Sequence, residues 1–178
     1  MSKLIRNYSV TFKASIFEGL VSSFKAEYPN EKGGFLIGEL PEPNVRKHIY
    51  EVNDVWVPYK QDGTPSGWGM YHEDLIEAQV YAASVNKIVL GYTHSHPYKS
   101  MRVSMTTQSY ADAELQSKYR LELSLIVGCT KDGRWAVDVW KDKYSAPLKI
   151  YFKNSHSEVF TYPSWRKKSR NRIWRDVE

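Results

Sequence analysis

The chain has 178 residues, of which 42% are hydrophobic, 14% aromatic and 25% charged. This composition predicts one domain with a packed core and excludes a disordered chain, which is poor in aromatic residues. No apolar run approaches the roughly 20 residues of a membrane span, and the first residues lack the apolar stretch of a secretory signal. We therefore expect a cytoplasmic protein without a membrane segment, in which the single cysteine, Cys129, excludes an internal disulfide.

The net charge of +5 is concentrated near the C-terminus. Residues 163–178 contain six Lys or Arg residues and two acids, together with Trp165 and Trp174. Such a segment either contacts an acidic partner or a phosphate backbone, or is a solvated tail with its tryptophans packed on the body. Because the rest of the chain is nearly neutral, we expect no general nucleic-acid binding. We place a domain at 1–153 and a basic extension at 154–178.

The first third of the chain predicts a strand, a helix and two further strands. Residues 8–12 alternate as a half-buried strand does. Apolar residues at helical spacing follow, namely Ile16, Phe17, Leu20, Val21 and Phe24. Pro29 ends this helix, and the runs 34–38 and 48–57 read as strands because they are rich in β-branched and aromatic residues.

The middle of the chain predicts a loop, a helix and a buried strand. Segment 58–71 contains three Gly and two Pro residues, which indicates a long, functional loop. A helix is predicted over 73–87, with Ile76, Val80 and Ala83 on its buried face. The apolar strand 88–93 then leads directly into a histidine pair.

The last part of the domain predicts one more helix and three strands. The helix is expected over 108–120, with Ala111, Leu115 and Tyr119 on one face. Strands follow at 121–129 and 135–140, joined by a hairpin around Gly133, and a further edge strand at 148–153. The element order predicts a mixed α/β (α+β) fold, a mostly antiparallel sheet flanked by helices.

His94 and His96 end the strand that begins at residue 88. Side chains two residues apart in a strand point to the same face, so the two imidazoles can reach one metal ion. With one cysteine in the chain, a zinc site has to use histidine and carboxylate. The alternative for a His-x-His pair is an exposed polar pair at a strand end.

Glu31 opens the segment that leads into the second strand. A hydrolytic metal site needs a carboxylate that carries protons without binding the ion, and Glu31 is the candidate. A surface acid after a turn is the alternative explanation.

Taken together, these segments resemble the JAB/MPN (JAMM) metalloprotease family. The resemblance rests on E-x-x-G-x-L-x-G from Glu31 to Gly38, on His94-Ser95-His96-Pro97, and on Ser104 at the family's spacing. It covers residues 5 to 153 and implies a cytidine-deaminase-like fold. It also implies a Zn²⁺-dependent isopeptidase of the prokaryotic, deubiquitinase-like type, with Glu31 as the proton carrier and Ser104 as the hydroxyl that stabilises the oxyanion.

The sequence departs from this signature at the third metal ligand. The family places an aspartate three residues after the serine, and this chain has Thr107 there. Ser109-Tyr110-Ala111-Asp112 repeats the Ser-x-x-Asp spacing five residues later, so Asp112 is the candidate third ligand beside His94 and His96. A helix that already began near residue 105 would place Asp112 about 140° around from Thr107 and would separate it from the site.

Three functions follow as hypotheses. In the first, the protein hydrolyses the bond after the Gly-Gly tail of a ubiquitin-like protein or its conjugates. Loop 58–71 and its aromatic residues either close over this tail or are simply anchored to the core. In the second, it is an inactive scaffold that binds the same kind of partner. In the third, the basic tail contacts a partner, either a protein or a nucleic acid.

Overall fold

A computed structural model describes residues 7–60, 62–100, 102–142, 146–156, 159–160 and 173–175. The helices are α1 (Ala14–Ala26), α2 (His72–Ser84) and α3 (Tyr110–Lys118), with a 3-10 turn at Val103–Thr106. In the described ranges none of them is long and apolar enough to cross a membrane. The strands are β1 (Asn7–Lys13), β2 (Gly33–Glu39), β3 (Lys47–Trp56), β4 (Ile88–Tyr98), β5 (Leu123–Thr130), β6 (Trp135–Trp140), β7 (Lys149–Lys153), β8 (Val159–Phe160) and β9 (Ile173–Arg175).

All these strands form one sheet in the order β8-β7-β1-β3-β2-β4-β5-β6-β9. The pairs β1–β3, β1–β7 and β4–β5 are parallel. The other pairs are antiparallel, so the predicted mixed and mostly antiparallel sheet is confirmed. The parallel β4–β5 pair is joined through the 3-10 turn and α3, as a parallel connection requires a crossover.

The main core lies between α1 and the concave face of the sheet. Phe17 of α1 contacts the ring of Phe152 on β7 and the ring of Trp135 on β6, at centroid distances of 4.8 and 5.4 Å. These strands lie near opposite ends of the sheet, so the sheet curls around α1. Phe17, Leu20, Val21 and Phe24 are buried, as the helical pattern predicts.

Helix α2 packs on the opposite face of the sheet, and its predicted buried side is wrong. Val80 is 66% exposed and Ile76 is 45% exposed, and Ala83 is exposed as well. The buried residues are instead Leu75, Ala78 and Ala82. Alanine side chains are small, so this face of the helix can pack closer to β2 and β4 than a face of Ile and Val.

Candidate metal centre

Strand β4 carries the two histidines on one face, as predicted. The Nε2 atoms of His94 and His96 lie 2.8 Å apart. Tyr92 lies on the same face, because it precedes His94 by two residues in the strand. Its hydroxyl contacts the backbone of Asp112. Ser95 points the other way, and its Oγ accepts a 2.9 Å hydrogen bond from the backbone N–H of Lys32.

Glu31 is brought to the histidines by the start of β2. Gly33 pairs with His94, and the backbone N–H of Ser95 donates to the carbonyl of Lys32 at 2.8 Å. The ligand atoms of Glu31, His94 and His96 all lie within 4.8 Å of one another. The carboxylate that the sequence assigns to proton transfer therefore stands beside the predicted metal ligands.

Asp112 is the second carboxylate at this point. Its Oδ1 lies 3.1 Å from Nε2 of His94, and its Oδ2 lies 3.9 Å from Nε2 of His96. Thr107, which occupies the family's aspartate position, is exposed, and no contact places it in the cluster. The structure thus brings together Glu31, His94, His96 and Asp112.

The start of α3 explains why Asp112 reaches the histidines. The helix begins at Tyr110 rather than at 108 or near 105, because Ser109 caps it. Ser109 Oγ accepts from the backbone N–H of Asp112 at 3.1 Å, and the backbone N–H of Ser109 donates to Asp112 Oδ2 at 2.7 Å. The angle of about 140° between Thr107 and Asp112 would apply only if both residues were on one helix, and Thr107 lies before the helix begins.

Tyr92 fixes the same helix turn from the sheet side. Its hydroxyl donates a 2.8 Å hydrogen bond to the backbone carbonyl of Asp112. Neither Tyr92 nor a supporting role of Ser109 is among the predictions from the sequence. Both roles could have been predicted from the sequence. The alternation Tyr-x-His-x-His places Tyr92 on the face of the histidines, and the capping pattern Ser-x-x-Asp indicates Ser109.

The local environment shifts the ionisation of three of these groups. Burial, only partly offset by His94, raises the pKa of Glu31 to about 7. Burial and the neighbouring His94 lower the pKa of His96 to about 4, so its imidazole is neutral at pH 7. Burial alone raises the pKa of Asp112, but hydrogen bonds with His94 and Ser109 together hold it well below its usual value. A neutral imidazole and an ionised carboxylate are the forms that bind a metal ion.

In the described residues 58–60 and 62–71 the predicted loop is present, and it forms one wall of the site. The imidazole of His94 is nearly parallel to two neighbouring rings, that of Tyr92 at 5.5 Å and that of Trp68 at 6.4 Å between centroids. The backbone N–H of Trp68 donates to the carboxylate of Glu31, and the backbone N–H of Glu31 donates to the carbonyl of Thr64 at 2.9 Å. The loop therefore holds the proton carrier directly.

Four large side chains in and beside this loop, three aromatic residues and Met70, divide into two groups. Trp56, Trp68 and Met70 pack against the cluster of buried residues beneath α2, which supports an anchored loop. Tyr71 is half exposed and donates a hydrogen bond to Asp62. These contacts hold the loop against the core beside the site.

Gly33 lets the indole of Trp68 lie flat against the start of β2. A Cβ on Gly33 would stand 2.3 Å from the Trp68 ring. We expect Gly33→Ala to displace Trp68 and to lower the free energy of unfolding by about 1–3 kcal/mol. Chemical denaturation and tryptophan emission measure the two effects. Gly19→Ala is the control, because its Cβ meets nothing within 4 Å, and a loss of stability there equal to that of Gly33→Ala would contradict the steric explanation.

Ser104 lies in the 3-10 turn Val103–Thr106 next to the site. Its side chain is outside the described residues, so its assignment as the oxyanion hydroxyl stays a prediction. Trp165 lies in the segment 161–172, also outside them, and of the basic tail only the backbone strand β9 is described, paired with β6.

The chain is similar to one protein family and to two solved structures. The family model of the prokaryotic homologues of the JAB domain matches residues 13–140, which include all four residues of the cluster. A protein of Desulfitobacterium hafniense, solved in solution, is 20% identical with a TM-score of 0.52, over 83% of this chain and 96% of its own. A JAB1/MPN domain protein from Archaeoglobus fulgidus is 14% identical with a TM-score of 0.46, over 81% and 97% of the two chains. No curated protein matches the sequence.

Proposed function

Because the chain belongs to the prokaryotic homologues of the JAB domain, we propose that it is a zinc-dependent isopeptidase. Its substrate is a conjugate of a ubiquitin-like protein, cut at the amide or isopeptide bond after a Gly-Gly tail. One observation carries this proposal: Asp112, in place of the missing aspartate at 107, lies 3.1 Å from His94 and 3.9 Å from His96.

The residues of the cluster fit a zinc ion. Two imidazole nitrogens and one carboxylate are a common ligand set of catalytic zinc, which keeps a further position open. The two Nε2 atoms face each other at 2.8 Å, and the lowered pKa of His96 keeps its imidazole neutral at pH 7, with a nitrogen lone pair for the ion. When bound, zinc supplies a Lewis acid that makes water more acidic and polarises a carbonyl group.

Glu31 carries the proton. With a pKa near 7 it is partly ionised at neutral pH, so it can take a proton from the attacking water. As the oxygen of that water bonds to the carbonyl carbon, the carbon–nitrogen bond breaks, and Glu31 returns the proton to the leaving amine. The hydrogen bond from the backbone N–H of Trp68 orients the carboxylate for this transfer.

Two hydroxyl groups have separate roles in this proposal. Ser109 orients Asp112 through the capping box, so it supports the third ligand. Ser104 stabilises the negative charge on the carbonyl oxygen, as the family resemblance implies. The substrate class also rests on that resemblance, because the best-known members of the family act on Gly-Gly tails. The basic tail is proposed as a second contact with a partner protein.

Metal analysis of the purified protein tests this function. We expect about one zinc per chain, retained on gel filtration and lost in His94→Ala. His156→Ala is the matched control, because His156 is an exposed histidine with no contact to the cluster, and its zinc content should not change. If the folded wild-type protein takes up no zinc, the isopeptidase proposal is wrong, and the non-catalytic scaffold is favoured.

A further inference from the structure

A buried carboxylate stands two strands away from the histidines and has no part in the mechanism above. Asp138 of β6 is 0% exposed. It pairs with Ile126 of β5, which pairs with His94 of β4, so the three side chains lie in one row on the same face of the sheet. A carboxylate in such surroundings requires hydrogen-bond partners, because its burial is otherwise strongly unfavourable.

One partner of Asp138 lies in the 3-10 turn. Thr106, the last residue of Val103–Thr106, is fully buried, and its Oγ1 donates a 2.5 Å hydrogen bond to Asp138 Oδ2. The carbonyl of Thr106 accepts a second hydrogen bond, of 2.9 Å, from the indole N–H of Trp140. Two residues of β6 therefore fix both the side chain and the backbone of Thr106.

The sheet leaves room for the turn at this point. A Cβ on Gly128 of β5 would stand 2.6 Å from the side chain of Met105, and Met105 is fully buried against Ala136 of β6. Gly128 and Ala136 lie in the row of His96. The turn thus lies directly on the strands beside the second histidine.

Met105 then connects the turn to the metal centre, because its side chain lies against Gly128, the sheet neighbour of His96, and its backbone acts on the imidazole of His96 in the direction that raises the pKa. We propose that Asp138 and Thr106 are positioning residues that fix the ring orientation of His96 through the Val103–Thr106 turn. The value of this orientation for metal binding rests on the proposed function. Hydrogen-bond partners of ligand histidines commonly contribute 10–100-fold to metal affinity.

Thr106→Val and Thr106→Ser test the inference as a matched pair. Valine keeps the shape and removes the hydroxyl, whereas serine keeps the hydroxyl. We expect Thr106→Val to lower the zinc affinity by about 10–100-fold and to change the absorption spectrum of the Co²⁺-substituted protein. Thr106→Ser should restore both, and Trp140→Phe, which removes the indole N–H together with part of the buried ring, should show a smaller change in the same direction.

A second readout needs no metal. In the metal-free protein, the ring nitrogen resonances of His96 should shift in Thr106→Val and return in Thr106→Ser. A Thr106→Val protein with a lower melting temperature but wild-type His96 resonances and zinc affinity would overturn the inference. If the wild type binds no zinc, the isopeptidase proposal fails, and the His96 resonances still decide whether the turn orients this ring. If Thr106→Val does not fold, Trp140→Phe decides by the same two measurements.

Discussion

Replacing Asp112 with alanine is expected to lower the zinc affinity by more than about 100-fold, because a metal ligand contributes more than a residue that only supports one. Thr107→Ala is expected to leave the affinity within about twofold, since Thr107 is exposed and lies outside the cluster. Competition with a chromophoric chelator measures both values. The pair shows directly which of the two residues completes the site.

Asp112→Ala also removes half of a helix cap, so a further variant separates the two effects. Ser109→Ala removes the hydroxyl of the capping box and keeps the carboxylate of Asp112. It should destabilise the protein by about 1 kcal/mol and weaken zinc binding much less than Asp112→Ala. Equal zinc losses in these two variants would show that the cap, and not the carboxylate, is what zinc binding needs. Unchanged zinc affinity in Asp112→Ala would remove Asp112 from the ligand set.

Glu31→Gln is expected to retain zinc and to lose hydrolysis of a Gly-Gly-tailed conjugate by about 10²–10⁴-fold. The amide keeps the size of the side chain and cannot accept the proton of water. Single-turnover cleavage together with metal analysis measures the two properties separately, so a loss of rate cannot be confused with a loss of metal.

Glu27→Gln is the control for this substitution. Glu27 is a nearby glutamate, 45% exposed, whose carboxylate pairs with Lys32 at 3.2 Å and does not reach the histidines. Its removal should leave the rate of cleavage unchanged. A nearly unchanged rate in Glu31→Gln would mean that another group carries the proton.

Strands β1 to β7 and the histidine pair could be predicted because their signals are local, whereas β8 and β9 were not predicted. Alternation brings Tyr92, His94 and His96 to one face whatever the rest of the chain does. The short, β-branched and aromatic strands likewise require no knowledge of their neighbours. Most of the residues that carry the family resemblance lie on β2 and β4, whereas Glu31 precedes β2 and Ser104 lies in the 3-10 turn.

The buried side of α2 could not be predicted in the same way. The sequence offers two apolar stripes, one with Ile76 and Val80 and one with Leu75, Ala78 and Ala82. Hydrophobicity favours the first stripe, but the distance between the helix and the sheet favours the second, and that distance is set by tertiary packing. Ala111 of α3 is likewise exposed, while Leu115 and Tyr119 contact the core as predicted.

The role of Asp112 was left open because two sequence patterns point to different residues. The family's spacing from the histidines points to Thr107 as the third ligand, whereas the capping pattern Ser-x-x-Asp predicts a helix that begins at Tyr110 and contains Asp112. The capping pattern describes two hydrogen bonds within four residues, so it fixes the local backbone. The family's spacing holds only if the loop between the histidines and the third ligand keeps its length. Loops tolerate insertions readily, so this spacing is the weaker guide.

The curl of the sheet around α1 affects where the folding unit ends. Phe17 is covered on one side by Trp135 and on the other by Phe152, which lies twelve residues beyond the end of the family match at residue 140. A polypeptide cut at that boundary would leave Phe12 and Phe17 facing water where β7 now seals them. Strand β7 therefore completes the cover of this core, and because it pairs with β1 from the far end of the domain, its docking is a non-local contact of the kind that forms slowly in folding.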